Sequence, residues 1–341
     1  MEEKMIKLVQ RELLSCEAIV RRAPNGELLL VCQCGDVTEP APLNRVYVWH
    51  SRDDGENWSG RKLLVPEDGR AVYQTEVSVI GEEIRVYVTF HDGRFCKNEH
   101  AVYISSDSGY TWEKGSSLPF LQGFYFVRGL LQEGNKHFLP YQLYDISEEQ
   151  SEKLSKEKKF LWNAGLDVVR NGVLISEDGG KTYTRSEGEA LLPLKDEEGK
   201  LKFVWSEPSV ARMPDKTLAM LLRFDYIGRL YLSRSADEGK TWSVPRATDI
   251  PNPSNKVKLI PLEKGKIALF HTPNCIHGIS NRHPLSVWVS FDGMKTWEIK
   301  KNIWDLDGWI SYPDGFIENG VAYIAVELNR HDVYFIKERI F

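Results

Sequence analysis

The chain has 341 residues, with 44 Lys and Arg against 49 Asp and Glu and a formal net charge of −5. Hydrophobic residues make up 42%, enough for a large core and too many for a disordered chain. A mildly acidic chain has no general attraction for phosphate backbones, so nucleic acid is not an expected partner. The opening MEEKMIKLVQ is acidic and amphipathic, unlike a secretory leader, and no apolar run is long enough to span a bilayer. Five cysteines (Cys16, Cys32, Cys34, Cys96, Cys275) form no CxxC pair and suit a reducing compartment. The expectation is a cytoplasmic protein without a membrane partner, or a secreted one if a leader has been removed.

In chain order, residues 5–13 read as a strand, and four short strands follow near 17–22, 26–33, 45–51 and 58–65. The third and fourth are joined by the first copy of a repeat. Its copies are SRDDGENW (51–58), SSDSGYTW (105–112), SEDGGKTY (176–183), SADEGKTW (235–242) and SFDGMKTW (290–297). Each has Ser, then Asp two residues on, and a closing aromatic; four have Gly two residues after the Asp, where the last has Met294. Spacings of 54, 71, 59 and 55 residues leave room for four strands, A to D, per repeat. Strand-like runs (RVYVWHS, AVYIS, GVLIS, LYLSRS, LSVWVS) feed the copies, so each copy is a C–D hairpin turn: Asp accepts backbone N–H groups, Gly takes positive φ, and the aromatic packs between sheets. The GKT in two copies lacks the earlier Gly of a phosphate loop, with Ile175 and Arg234 in its place.

The highly charged segment 145–160 lies in the longest B–C connection and reads as a solvated, helical flap or a lid, with Trp162 near its end. After the fifth copy, strands are expected near 311–317, 321–327 and 332–338. That last sheet lacks a fourth strand, and residues 5–13 are unused; pairing them there removes the exposed edges. The predicted architecture is all-β, a single six-bladed β-propeller over 1–341 with its last blade closed by the N-terminal strand.

The repeats resemble the Asp boxes (BNR repeats) of the sialidase superfamily, and the resemblance covers nearly the whole chain. It implies the propeller fold and a glycosidase-like site, with the box aspartates as turn residues on the opposite side. WSEPSVARMPDKTLAMLLR resembles the segment with a catalytic Glu followed by a substrate-binding Arg, implying Glu207 and Arg223. RHPLSVWVSFDG implies a second binding arginine, Arg282. SYPDGFIENGVAYIAVE implies the nucleophile Tyr312 and a closing Glu, Glu327, in the substrate-binding set, where it orients one guanidinium. Strand position agrees: Glu207 and Tyr312 start A strands, Arg223 and Glu327 end B strands, and Arg282 starts a C strand, so all five are expected on one face.

Two departures matter. The family's first clamp arginine would fall near Cys16–Glu17, and Arg21 and Arg22 come about five residues later, toward the other end of the strand at roughly 3.3 Å per residue. The family's acid/base Asp before the first box is replaced by Leu43, Asn44 and Arg45. Glu17 stands as the substitute acid, with a salt-bridge partner for an inner arginine as its alternative; Asp36, Glu76 and Asp92 are weaker candidates, Asp92 also as a substrate contact. A Tyr nucleophile avoids the repulsion a carboxylate would meet at an acidic sugar, and its phenol needs a base such as Glu207. Arg223 and Arg282 are suited to grip a carboxylate.

His271, Cys275, His277 and His283 match no zinc spacing, so no metal or other cofactor is expected; His271 and His283 are candidate pocket residues. The reading is therefore a sialidase-like glycoside hydrolase with a carbohydrate partner, the incomplete clamp pointing away from sialic acid as the preferred substrate. A polysaccharide lyase using Tyr312 with His271 or His283, and a non-catalytic glycan binder, are the alternatives.

Overall fold

The computed structural model describes residues 4–115, 118, 123–195, 198–200, 202–306 and 308–341. Its regular structure is almost wholly antiparallel strand, arranged in six sheets. Two compact units divide the chain, Met1–Leu118 with Gly308–Phe341, and Pro119–Asp307, and each holds three sheets.

In the first unit, Ser15–Arg22, Leu28–Cys34, Arg45–Ser51 and Lys62–Leu63 form an up-and-down sheet in sequence order. The first three strands fall within two residues of expectation. The fourth is only two residues long, because Trp58 packs edge-on against Phe335 instead of extending the ladder. Every residue of Leu28–Cys34 is buried, since the strand has sheets on both sides. Leu28, Leu30 and Cys32 pack with Tyr323 and Phe335, while Leu29 and Val31 pack with Val72, Val86 and Val88. This strict alternation is why the strand reads as a continuous apolar run. The second sheet runs Ala71–Ile80, Glu83–His91, Asn98–Ser105, Glu113–Lys114.

The third sheet is built from both ends of the chain. Ile310–Glu318, Val321–Leu328 and Asp332–Arg339 come in order, and Met5–Arg11 adds the fourth strand as the sequence predicts, pairing Met5 with Lys337 and Arg11 with Asp332.

The second unit repeats the plan. Phe124–Val127 and Leu131–Glu133 pair with Lys136–Tyr144, which pairs with Val168–Ser176. The remaining sheets run Ser209–Arg212, Leu218–Leu222, Arg229–Ser235, Arg246–Pro251, and Lys258–Pro261, Ile267–His271, Leu285–Ser290, Ile299–Trp304. Residues 145–160 contain the helix Glu148–Lys156, started by a Ser147–Gln150 capping box and anchored by buried Leu154.

All five repeats are the expected hairpin turns. The Ser hydroxyl donates to the Asp at 2.7–3.0 Å, and its oxygen accepts the N–H of the residue four positions on at 2.8–2.9 Å. That residue has positive φ in every copy, from 99° at Gly55 to 68° at Met294. Met294 thus makes the same turn as glycine, at a cost of about 1–2 kcal/mol in a left-handed backbone. The backbone N–H and hydroxyl of Thr296 both bind Asp292 and hold its carboxyl down at about 2.

Candidate active site

Within the second unit, Glu207 precedes the inner strand Ser209–Arg212 and Arg223 follows the adjacent strand Leu218–Leu222. The Arg223 N–H donates to the Ser206 carbonyl at 2.8 Å, which brings the two side chains together. Arg223 Nη1 lies 3.0 Å from both Glu207 carboxylate oxygens, and its Nε donates to Asp225 at 2.8 Å. All three side chains are buried, so the guanidinium neutralises charges whose burial is otherwise expensive.

Glu207 is braced through its backbone. Its N–H donates to Gln142 at 2.8 Å, Gln142 donates to the Tyr144 hydroxyl, and Tyr144 donates to the Val204 carbonyl at 2.7 Å. Burial, followed by the Glu207 charge, pushes the Tyr144 phenol well above its usual range, so it remains a donor.

Arg282 lies three residues before Leu285–Ser290 and donates from Nη2 to the Ser254 carbonyl at 2.6 Å. His271 ends its strand fully buried, edge-on to Trp288 with ring centroids 4.5 Å apart. Burial lowers its pKa to about 3. It is an enclosed neutral imidazole. His283 is partly exposed, with Nδ1 3.8 Å from Asp305.

The first unit carries the other candidates. Glu17 sits in a bulge of Ser15–Arg22, fully buried, with its carboxylate accepting the Tyr73 hydroxyl at 3.3 Å and its carbonyl accepting Gln74 at 2.6 Å. Glu327 accepts the Ala18 N–H at 3.0 Å and faces Ser311 across the sheet. Tyr312 occupies a bulge of Ile310–Glu318 between Ser311 and Asp314. Glu17, Glu207 and Tyr312 share one property: each is a non-glycine residue in the left-handed backbone region, at φ 58°, 37° and 51°. Such strain costs of order 1–3 kcal/mol per residue and gathers at functional sites.

The weaker acid candidates have structural employment. Asp92 accepts the N–H groups of Arg94 and Cys96 and so caps its own loop. Asp36 accepts those of Val37 and Leu43, and Glu76 binds Ser78 and lies 3.5 Å from Arg21. At the missing acid position, buried Asn44 staples its loop through the Gly35 and Thr38 carbonyls and the Ala41 N–H. At the missing clamp position, Cys16 is buried beside Tyr73, and burial followed by the Glu327 charge pushes its thiol far up, so it stays neutral. Arg21 turns to Asp314 at 2.7 Å, and Arg22 pairs with Asp54 and Glu318.

Sequence reasoning missed Asp225, Gln142 and Tyr73. Asp225 stands two residues after Arg223 in RFD and was legible as its partner; Gln142 and Tyr73 belong to other sheets and carried no local signal. Among the described residues, no group of three or more His, Cys, Asp or Glu is placed to hold a metal.

Solved structures with the same fold include a Hadza microbial sialidase, at TM-score 0.74 and 16% identity over 98% of this chain and 68% of that one. A protein of unknown function from Dyadobacter fermentans matches at TM-score 0.73 and 15% identity over 99% of both chains. Trypanosoma rangeli sialidase, as a covalent intermediate with 2,3-difluorosialic acid, matches at TM-score 0.68 and 15% identity over 96% of this chain. This chain spans 54% of that enzyme's length. The fold is the six-bladed β-propeller of sialidases. The chain belongs to the BNR repeat-like domain family, which matches residues 75–324. No curated protein sequence matches it significantly.

Proposed function

We propose that this chain is a sialidase-like glycoside hydrolase acting on an acidic sugar or a related glycan. The observation that carries the reading is that, among the described residues, the buried ionisable side chains on left-handed backbone are those of Glu17, Glu207 and Tyr312. In the assignment taken from the resemblance, Tyr312 Oη attacks the anomeric carbon and passes its proton to Glu207. Glu17 protonates the departing oxygen, and water then hydrolyses the tyrosyl glycoside. Arg223 and Arg282 bind the substrate carboxylate, Glu327 supports the inner strands, and Asp225 holds Arg223 in orientation. The neutral Cys16 thiol where a third arginine would stand favours an acidic sugar other than sialic acid. The enclosure of His271 weighs against a lyase that uses it as a base.

The test is turnover of a panel of aryl glycosides (sialic acid, related keto acids, uronic acids, neutral sugars) by wild type, Tyr312→Phe and Glu207→Gln. Release that collapses at least about a hundredfold in both variants supports the reading. An unsaturated product absorbing in the ultraviolet would replace it with the lyase, and saturable binding without release from any glycoside with a binding module.

A further inference from the structure

Three loops of the second unit meet around His277: residues 226–228, 252–255 and 272–284. The Tyr226 N–H donates to His277 Nδ1 at 3.2 Å, and Ser254 Oγ lies 2.6 Å from the same nitrogen. A backbone N–H can only donate, so Nδ1 is assigned as the acceptor and the ring proton to Nε2; the Ser254 hydroxyl, at the shorter distance, is the main donor to the single Nδ1 lone pair and the Tyr226 N–H shares it. Ser254 is buried and has φ 68°, a left-handed conformation that serine adopts rarely. Its carbonyl accepts Arg282 Nη2 at 2.6 Å. Asn252 closes the turn below, donating from its amide to the Asn255 carbonyl and accepting the Asn255 N–H, both at 2.9 Å.

These contacts form one chain of cause. The direction of the Ser254 carbonyl follows from its backbone angles, the hydroxyl bond to His277 helps hold those angles, and the Arg282 guanidinium is seated on that carbonyl. His277 itself is exposed; its ring bonds to Ser254 and Tyr226 and lies 4.8 Å from the Tyr226 ring, and its carbonyl accepts the Asn281 amide at 3.2 Å. We propose that Ser254 and His277 are positioning residues that seat Arg282 for the anionic group of the substrate. This rests on the reading of Arg282 as a substrate-binding residue. Preorganised guanidinium placement decides whether a carboxylate is met by two aligned donors or by one mobile charge.

The experiment compares His277→Ala, His277→Asn and Ser254→Ala on the aryl glycoside of an acidic sugar that wild type cleaves and on its neutral methyl ester. His277→Ala and Ser254→Ala are expected to raise KM for the acid about tenfold with kcat changed less than about twofold, and to leave the ester unaffected. The Asn side-chain oxygen can take the place of Nδ1, so His277→Asn is expected to restore KM to within about twofold. Equal effects on acid and ester, or a fall in kcat at constant KM, overturn the proposal. Should wild type cleave nothing, the proposed function fails, and nitrogen NMR then decides the positioning role by itself. His277 in the Nε2–H form, and an Arg282 Nε–H resonance that shifts in both His277→Ala and Ser254→Ala, support it; an Nδ1–H imidazole or an unmoved Arg282 resonance overturns it.

Discussion

Replacing Arg21 by methionine tests how the inner strands of the first unit are tied together. Arg21 Nη1 meets Asp314 at 2.7 Å, Nη2 lies 3.5 Å from Glu76, and Nε donates to the Val77 carbonyl at 2.7 Å. One guanidinium therefore joins strands from three sheets, Ser15–Arg22, Ala71–Ile80 and Ile310–Glu318. The side chains of Glu76 and Asp314 are only 2% and 4% exposed, so losing the arginine strands two carboxylates in a low-dielectric interior. Breaking a buried pair in this way costs about 3–5 kcal/mol. An unfolding entropy of about 2 cal/mol/K per residue makes that a fall in Tm of roughly 4–7 °C for a chain of this length. Scanning calorimetry of Arg21→Met gives the number, and the triple variant Arg21→Met, Glu76→Gln, Asp314→Asn gives the control. With the carboxylates neutralised, the triple variant is expected to recover most of the loss. A single variant that melts within about 1 °C of wild type, or a triple variant less stable than the single, would refute the argument.

Two acid-limb predictions follow from groups whose pKa the fold shifts downward. Burial holds His91 and His271 at about 3, against 6.5 for an ordinary imidazole. Below pH 6.5 the unfolded chain binds protons that the folded chain refuses, so the stability these groups contribute is complete above about 6.5 and drains away toward 3. At pH 5 each accounts for about 2 kcal/mol of loss; His271→Leu should narrow the Tm difference between pH 7.5 and pH 5, and an unchanged difference would count against a buried neutral ring. Asp292 has the opposite chemistry, its carboxyl held at about 2 by Thr296 against 3.8 in an unfolded chain. Its contribution is present above 3.8 and lost as pH falls through 2, so Asp292→Asn should flatten that part of the stability profile in far-ultraviolet circular dichroism.

How much was legible depends on the range over which a residue's partner lies. The boxes are local: Ser, Asp, Gly and Thr bind one another within six residues, so their spacing alone placed the C–D turns and, through them, nearly every sheet. The closing strand was legible by subtraction, since a sheet one strand short and a spare segment implied each other. Glu207, Arg223 and Tyr312 stood out through the resemblance of their segments to sialidase ones, and their places at the starts and ends of inner strands, where charged or phenolic groups are expensive, agreed with it. The surroundings of Asp92 and His271 were not legible. A loop Asp that accepts two of its own backbone N–H groups looks in sequence like any exposed acid, and the lid of Trp288 over His271 arises from strand pairing. The Ser254–His277 bond was hidden for the same reason, joining two loops 23 residues apart in regions without periodicity.

The pairing of Met5–Arg11 with Asp332–Arg339 has a consequence in time. During synthesis the first strand leaves the ribosome before any of its partners exists, and it waits for more than 300 residues to follow. It must spend that interval with an open edge, exposed to pairing with other chains. Its composition suits the wait: MIKLVQR sets Lys7 and Arg11 among its apolar residues, and charges on an unpaired strand discourage premature partners. The last contact to form is thus also the one that gives this sheet its fourth strand, and a chain cut short before Asp332 would release every other sheet while leaving that clasp undone.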